Sequence, residues 1–289
     1  QSKDTVSYSQ TGVATTDLFN PVLPVLPRAI KGNPSADNRA LMTTSALYLQ
    51  DQLSLAKSWK ALLGLRYDRF EQQTDDRRPG QSDLERTDNM LSPRAGLVWQ
   101  PSAEQSWYLA WSRSFQPSAE SFALATNNAD LAPEETTNHE IGAKYELFGG
   151  AATLGASLFR LERTNIKVVD PANSTRLLPI GVQRTDGLEL TAQGDLKGGW
   201  QILAGYAYMD AKVVESTATD AGQAVQGKHA TLTPRHSGNV WLTRALSGQI
   251  SVGGGLNYVG DRFANPGNTV TLPGYTTADL MARWSLKAW

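Results

Sequence analysis

Polar and apolar residues alternate along most of this chain with a period of two, which is the pattern of a β-strand with one wet and one apolar face. In residues 184–196, Leu188 and Leu190 lie on one side, and the residues next to them in sequence are polar or glycine. Residues 59–69 and 200–208 show the same alternation. The pattern predicts an all-β protein with roughly a dozen strands.

Short and long connections alternate between the predicted strands. A sheet with tight turns at one end and long loops at the other is typical of bacterial outer-membrane barrels. We therefore predict an antiparallel meander that forms part of a transmembrane β-barrel, with strands of about ten residues. The short turns are residues 55–58, 101–105, 148–150, 197–199 and 245–248. The long segments are residues 72–89, 116–136, 164–183, 212–230 and 261–274.

Tryptophan positions support this interpretation. Trp59, Trp107 and Trp200 follow short turns, and Trp99 and Trp284 precede them. Aromatic rings next to one rim of a sheet are favoured at a membrane interface, where an apolar ring body meets a wet polar tip. The alternative is a soluble sandwich whose core holds these rings, but core rings are not expected beside a single class of turn.

Composition excludes several classes of protein. The 289 residues are 40% hydrophobic with a net charge of −1, which gives no indication of a nucleic-acid partner. No apolar run is long enough for a spanning helix, and the absence of cysteine excludes disulfides and thiolate metal sites.

Three segments depart from the regular pattern. Residues 3–10 are expected to form a frayed first strand, and the proline-rich residues 11–38 a loop. The faces of residues 151–163 cannot be assigned, because both carry apolar groups.

Several motifs follow one another along the predicted strands. They lie in residues 91–101 leading into 107–117, in LAPEETTNHEIGAK at 131–144, in TDGLEL at 185–190, in TPRH at 233–236 with NVW at 239–241, and in 258–275. Together, and in this order, they resemble the motifs of the TonB-dependent siderophore receptors. Residues 258–275 look closest to the catecholate and related types.

The resemblance implies a partial barrel. The family barrel has about 22 strands around a separate plug domain. Residues 1–289 would then be part of the barrel domain, without the plug and without the final strands. The chain starts with neither an initiator Met nor a signal peptide, so we expect a mature chain or an internal segment. Alternate positions back from Trp289 hold Lys287, Ser285 and Arg283 rather than apolar residues, so we expect residues 286–289 to form a turn toward further strands.

The resemblance also implies a function, namely an outer-membrane receptor that takes up a ferric siderophore. Its partners would be the siderophore, outer-membrane lipid, and TonB with the inner-membrane complex driven by the proton gradient. No cofactor, nucleic acid or enzymatic activity is expected. Haem, another metal chelate or a sugar remains open as cargo, because the outer loops decide it.

No catalytic or metal-binding constellation is visible. His139, His229 and His236 lie on different predicted elements without ligand-like spacing, and His236 is expected at the rim or in the lumen. Ferric siderophores are bulky and often anionic, so arginine and aromatic side chains near the outer loops suit them. The candidate ligand-binding residues are Phe115, Phe122, Arg176, Arg262, Phe263 and Tyr275.

Two other functions share part of the pattern. A passive porin-type barrel has the same alternation but no plug. A soluble all-β binding module, such as a lectin-like sandwich, has alternating strands but needs no detergent. An upstream plug of about 150 residues would separate active transport from passive flow.

Overall fold

The structure, a computed structural model, describes residues 2–7, 34–117, 124, 126, 129–170 and 172–285. All regular secondary structure within these ranges is β-strand. The prediction of an all-β protein is therefore confirmed. The part of the chain that the structure describes contains no helix long and apolar enough to cross a membrane.

Twelve strands follow one another in a single sheet of order β1-β2-β3-β4-β5-β6-β7-β8-β9-β12-β13-β16, so the predicted antiparallel meander is confirmed. Two further hairpins, β10-β11 and β14-β15, lie in the connections. The strands are β1 (Ser2–Ser7), β2 (Ala36–Ala56), β3 (Trp59–Asp76), β4 (Leu84–Ser102), β5 (Gln105–Gln116), β6 (Glu134–Leu147), β7 (Ala152–Asp170), β8 (Asn173–Leu196), β9 (Trp200–Glu215), β10 (Thr219–Asp220), β11 (Gln223–Ala224), β12 (His236–Ala245), β13 (Ile250–Val259), β14 (Arg262–Phe263), β15 (Thr271–Leu272) and β16 (Tyr275–Trp284).

Many strands are longer than predicted. The expected loop at residues 164–183 is mostly hairpin, because β7 continues to Asp170 and β8 begins at Asn173. Cross-strand pairing satisfies backbone N–H and C=O groups in water as well as in lipid, so a ladder need not stop where a membrane ends. The estimate of ten residues per strand is therefore wrong for β2, β3, β4, β7 and β8.

The N-terminal expectations are partly tested. β2 begins at Ala36, so the predicted loop at residues 11–38 is wrong for its last three residues. Residues 11–33 lie outside the described part of the chain. The first strand covers Ser2–Ser7, and residues 8–10 and 286–289 also lie outside the described ranges.

One compact unit comprises Gln1–Ala46, Asp68–Met90 and Pro117–Leu131. Its interior is partly polar: Phe70, Gln72 and Thr74 are buried at alternate positions of β3. The backbone N–H of Leu124 donates to Thr74 Oγ1 at 2.9 Å, which ties the segment after β5 to this face. The alternate residues of this part of β3 therefore pack against a loop segment.

Arginine–aspartate pairs hold the hairpin of β3 and β4 in this unit. Arg78 Nε and Nη2 donate to the two oxygens of Asp76 at 2.9 and 2.6 Å, and this bidentate contact lowers the pKa of Asp76. Arg86 contacts Asp88 at 2.6 Å, and its Nη1 donates to the Ala129 carbonyl at 2.7 Å. Both pairs fix the loop end of the hairpin.

The second unit comprises Leu47–Tyr67, Leu91–Gln116 and Ala132–Trp289. Its strand register builds one continuous apolar face, which now includes the unassigned residues 151–163. These apolar side chains are largely exposed; Leu280 is 93% exposed. An apolar surface of this size is untenable in water and suits hydrocarbon. Members of the face are Trp107, Leu109, Ile141, Ala143, Ala156, Leu158, Leu188, Leu190, Ala204, Tyr206, Val240, Leu256, Ala278 and Leu280.

The opposite face of this unit is polar, with rings lying flat across glycines. A Cβ built on Gly187 would lie 2.2 Å from Phe159 Cζ, and one on Gly142 would lie 2.4 Å from Tyr108 Cζ. Each ring therefore occupies the space that a side chain on the neighbouring strand would need. The hydroxyl of Tyr108 also donates to Glu140 Oε1 at 2.5 Å. Glycine here makes room for a large side chain on a crowded face.

We predict that Gly187→Ala destabilises the natural protein that carries this chain by about 1–3 kcal/mol, because the Phe159 ring must leave its place on the sheet. Gly96→Ala is the matched control, since its Cβ would meet Leu62 Cβ at an ordinary 3.6 Å. Urea unfolding in lipid vesicles, followed by tryptophan fluorescence, measures both variants. Equal midpoints for the two variants would contradict the role of the ring.

Candidate functional site

Two connections of the second unit are joined at the end of the sheet that carries the long connections. We call this the loop end, and the opposite end the short-turn end. The segment between β9 and β12 meets the segment between β13 and β16. The amide of Asn268 donates to the His229 carbonyl at 3.0 Å, and the backbone N–H of His229 donates to Asn268 Oδ1 at 2.7 Å. The backbone N–H of Leu232 donates to the Phe263 carbonyl at 2.8 Å. These reciprocal bonds hold the two segments against each other.

Asp220 forms the second link between the same segments. Its Oδ2 accepts the backbone N–H of Gly267 at 2.8 Å and also accepts from the Asn265 amide. Asn265 Oδ1 in turn accepts the backbone N–H of Val270 at 2.8 Å, which closes a local turn of the kind asparagine favours. We name Asp220, His229, Asn265 and Asn268 the loop clasp.

A positively charged cluster lies beside the loop clasp. Asp210 contacts Lys212 at 2.6 Å and Arg235 at 3.8 Å. Arg235 Nη2 lies 2.6 Å from His229 Nε2. Arginine can only donate, so His229 Nε2 is the acceptor, and Nδ1 of the same ring lies 3.6 Å from Asp210 Oδ1. One carboxylate therefore faces two permanent cations, and this cluster has a net positive charge.

Three of the predicted ligand-binding residues occur beside the loop clasp. The Arg262 guanidinium lies 5.7 Å from the centroid of the Tyr275 ring, and Phe263 stacks on His229 with centroids 6.0 Å apart. The Nη1 atom of Arg262 is buried and has no hydrogen-bond partner among the residues that the structure describes. The half-exposed Tyr275 ring lies on the polar face of β16, opposite Val259.

The other three predicted residues are not part of this group. Phe115 is in β5 under the Arg113 guanidinium, 5.5 Å away, and its register opposite Glu135 places it on the apolar face. Arg176 is in β8, is 67% exposed and approaches Asp170 at 3.7 Å. Phe122 lies outside the described residues. The ligand-binding role of all six residues stays a prediction.

The loop clasp itself was missed by the sequence interpretation. Its visible signal is Asn265-Pro266-Gly267-Asn268, a cluster of turn-forming residues. Its partner Asp220 is 47 residues away from Gly267 in sequence, and nothing local indicates that contact. His236 was expected at the rim or in the lumen. It is the first residue of β12, at the rim, and lies opposite Tyr208 on the apolar face with its Nδ1 2.8 Å from the Tyr206 hydroxyl. The rim alternative therefore fits, and the lumen alternative does not.

The start of β6 is fixed by a buried ion pair. Glu134, in the LAPEE motif, is 1% exposed, and Arg163 Nε donates to its Oε2 at 2.7 Å. The Asn165 amide donates to the Pro133 carbonyl at 3.0 Å from a backbone with φ of 58°. These contacts of the LAPEE motif thus fix the point at which the loop ends and β6 begins. In the described ranges, no group of three or more His, Asp or Glu side chains is placed to hold a metal ion.

We predict that Asp220→Ala speeds hydrogen exchange at the Gly267 amide by about tenfold or more, because a bond to a charged acceptor is lost. Asp261→Ala, an exposed aspartate in the same connection, is the control and should leave that amide unchanged. Mass spectrometry of deuterated peptides from the natural protein measures both variants. Unchanged protection in Asp220→Ala would show that the loop clasp does not hold the loops.

Comparison with known proteins gives one consistent family. The family model described as "TonB dependent receptor-like, beta-barrel" matches residues 1–289. The metal-pseudopaline receptor CntO of Pseudomonas aeruginosa is 29% identical over 92% of this chain and 39% of its own length. The ferrioxamine B receptor of Salmonella typhimurium is 32% identical over 94% of the chain and 38% of its own length.

A solved structure has the same fold. The siderophore receptor PiuA from Acinetobacter baumannii matches 99% of this chain and 45% of its own, with a TM-score of 0.81 and 24% identity. This chain thus spans about two fifths of the length of the relatives above.

Proposed function

Because the chain belongs to the TonB-dependent receptor-like β-barrel family, we propose that the natural protein that carries it is an outer-membrane receptor for ferric siderophores. The family match over residues 1–289 is the observation that carries the proposal. The predicted resemblance to this family is confirmed. The family consists of receptors and transporters rather than enzymes. Binding and gating would be its mechanism, without a covalent change in the cargo.

The exposed apolar face supports placement in the outer membrane. Its side chains are aliphatic in the middle of the strands, and rings lie next to the short turns, as an interface favours. The short-turn end would face the periplasm, and the loop end the outside. TonB and its proton-driven inner-membrane complex would supply the energy. The expected plug domain and missing strands stay predictions.

The loop end offers groups suited to an anionic, partly aromatic cargo. Arg262 has an uncommitted buried nitrogen beside the Tyr275 ring, and the Arg235–Lys212 cluster adds positive charge. A siderophore oxygen could accept from Arg262 while an aromatic part packs on Tyr275. The loop clasp would preorganise both residues, which reduces the ordering cost of binding.

A second candidate cargo is a chelate of another metal. The relative from P. aeruginosa is named for a metal–pseudopaline complex rather than for an iron siderophore. The same anion-binding groups would serve such a chelate, because both cargoes present oxygen ligands around a cation.

Growth on single metal sources tests the function. A strain that lacks the complete gene should lose use of one ferric siderophore, and the gene should restore growth only when TonB is present. A defect for another metal chelate would support the second candidate. Normal use of every siderophore and metal chelate would contradict the proposed receptor function.

A site variant tests the ligand contacts separately. Arg262→Gln with Tyr275→Leu should weaken cargo binding by about tenfold or more, since a charge-assisted bond and a ring contact are both lost. Lys57→Gln is the control. Lys57 lies in the short turn between β2 and β3, at the opposite end of the sheet from Arg262 and Tyr275. Titration of the detergent-purified protein with the ferric siderophore gives the affinities. Equal affinities in wild type and double variant would remove these two residues from the site.

A further inference from the structure

A row of two aromatic rings and two cations runs along the short-turn end of the second unit. Its members are Phe148 after β6, Lys197 after β8, Trp200 at the start of β9 and Arg244 near the end of β12. We name these four residues the turn row. No part of the proposed receptor mechanism uses them.

The turn row consists of two cation–ring pairs on neighbouring connections. Lys197 Nζ lies 5.6 Å from the centroid of the Phe148 ring, and Arg244 Cζ lies 5.1 Å from the Trp200 ring. The backbone N–H of Asp195 donates to the Ala151 carbonyl at 2.7 Å, and that of Ala245 to the Gly199 carbonyl at 3.0 Å. These backbone bonds hold the turns side by side, so each cation rests on a ring from the neighbouring connection or strand.

The strand register places Trp200 and Arg244 on the apolar face. Arg244 lies opposite Trp200, and the next pair on the same side is Leu242 with Ile202. Trp284, which is 69% exposed, ends β16 on this face opposite Ile250. Arg244 therefore places a positive charge at the edge of an aliphatic surface, and Lys197 adds a second charge in the adjoining turn. A guanidinium in that position is at headgroup depth if the apolar face meets lipid.

Neither cation of the turn row has a carboxylate partner among the described residues. The nearby Asp195 lies on the polar face, where its Oδ1 accepts from the Gln201 amide at 2.7 Å. Toward the loop end of the apolar face the cations are paired: Arg160 contacts Asp186 at 2.6 Å, and Arg184 contacts Glu162 at 2.8 Å. On this face, cations toward the loop end thus contact carboxylates, whereas the two cations of the turn row rest on rings.

We propose that the turn row binds the phosphate of a phospholipid headgroup in the leaflet at the short-turn end. Guanidinium and ammonium groups bind phosphate oxygens strongly, and rings beneath them fix their position. Ile202 and Leu242 lie directly next to the row, where acyl chains would pack. These aliphatic neighbours favour a lipid over a water-soluble phosphate. The inference rests on the proposed outer-membrane placement.

The test uses the detergent-purified, delipidated natural protein that carries this chain. Phosphatidylglycerol is titrated, and bound lipid is counted by native mass spectrometry. The double variant Lys197→Gln/Arg244→Gln should bind it about tenfold or more weakly, because two cations that attract the anionic headgroup are lost. Trp200→Leu keeps the apolar character but removes the ring, and should also weaken binding.

The control is Lys57→Gln/Arg283→Gln, which removes the same charge. Arg283 lies at the same end of the sheet but opposite Ser251 on the polar face. This control should bind phosphatidylglycerol within about twofold of wild type. Diacylglycerol, which lacks the phosphate, should bind wild type and both double variants alike.

Three results would overturn the inference: equal phosphatidylglycerol affinity in wild type and Lys197→Gln/Arg244→Gln, an equal loss in the control, or an equal loss for diacylglycerol. Competition by glycerol phosphate at the concentration of the lipid would assign the site to a soluble anion instead. Absence of the wild-type protein from the outer-membrane fraction would refute the proposed function, whereas unselective lipid binding by the embedded protein would refute only this inference.

Discussion

The antiparallel register of the second unit is the constraint on which the rest of the structure depends. Side chains alternate between faces with a period of two, so a slip of one residue in any ladder would bring that strand's polar side chains to the apolar face. The pairing runs without a shift from β5 through β6 to the middle of β7, and again from β9 through β12 and β13 to β16. The ladder also satisfies the backbone groups that hydrocarbon leaves without water.

The sequence predicted the face of a side chain best in the segments where contact with lipid would restrict the residue type most. In residues 200–208 the predicted apolar set is the observed one, because any polar side chain there would meet lipid. Residues 151–163 could not be assigned, since Phe159 and Leu161 are apolar yet lie on the polar face. The structure supplies a reason for Phe159, whose ring covers Gly187 on the next strand. That contact depends on register, which a single strand does not reveal.

Strand ends and loop contacts could be predicted less well than strand faces, because both depend on contacts between different parts of the chain. Beyond the apolar band, strands continue as long as hydrogen-bond partners exist, and alternation no longer marks their ends. Arg262 and Tyr275 were identified from side-chain type, and the β13–β16 ladder explains why they meet. The loop clasp depends on a contact between Asp220 and Gly267 that is distant in sequence. Only the assembled hairpins bring such residues together.

The apolar face carries different chemistry toward its two ends. Toward the loop end the cations contact carboxylates of neighbouring strands, whereas at the short-turn end they stack on rings. In an outer membrane these ends meet different surroundings, the outside with its cargo and the periplasmic leaflet with its phospholipids. The loop clasp and the turn row are each held by neighbouring connections, so the same ladder positions both.

The central claim is that the observed register presents one face of the sheet to lipid. Measuring lipid contact position by position along β9 tests it most directly. The chain has no cysteine, so single cysteines carrying spin labels can be placed at residues 202–207 of the natural protein in lipid vesicles. Labels at Ile202, Ala204 and Tyr206 should be accessible to dissolved oxygen, and labels at Leu203, Gly205 and Ala207 should not. Leu203 is decisive, because it is apolar in type but lies on the polar face opposite Trp241. High oxygen accessibility at Leu203, or no alternation along the six positions, would contradict the register and the membrane placement together.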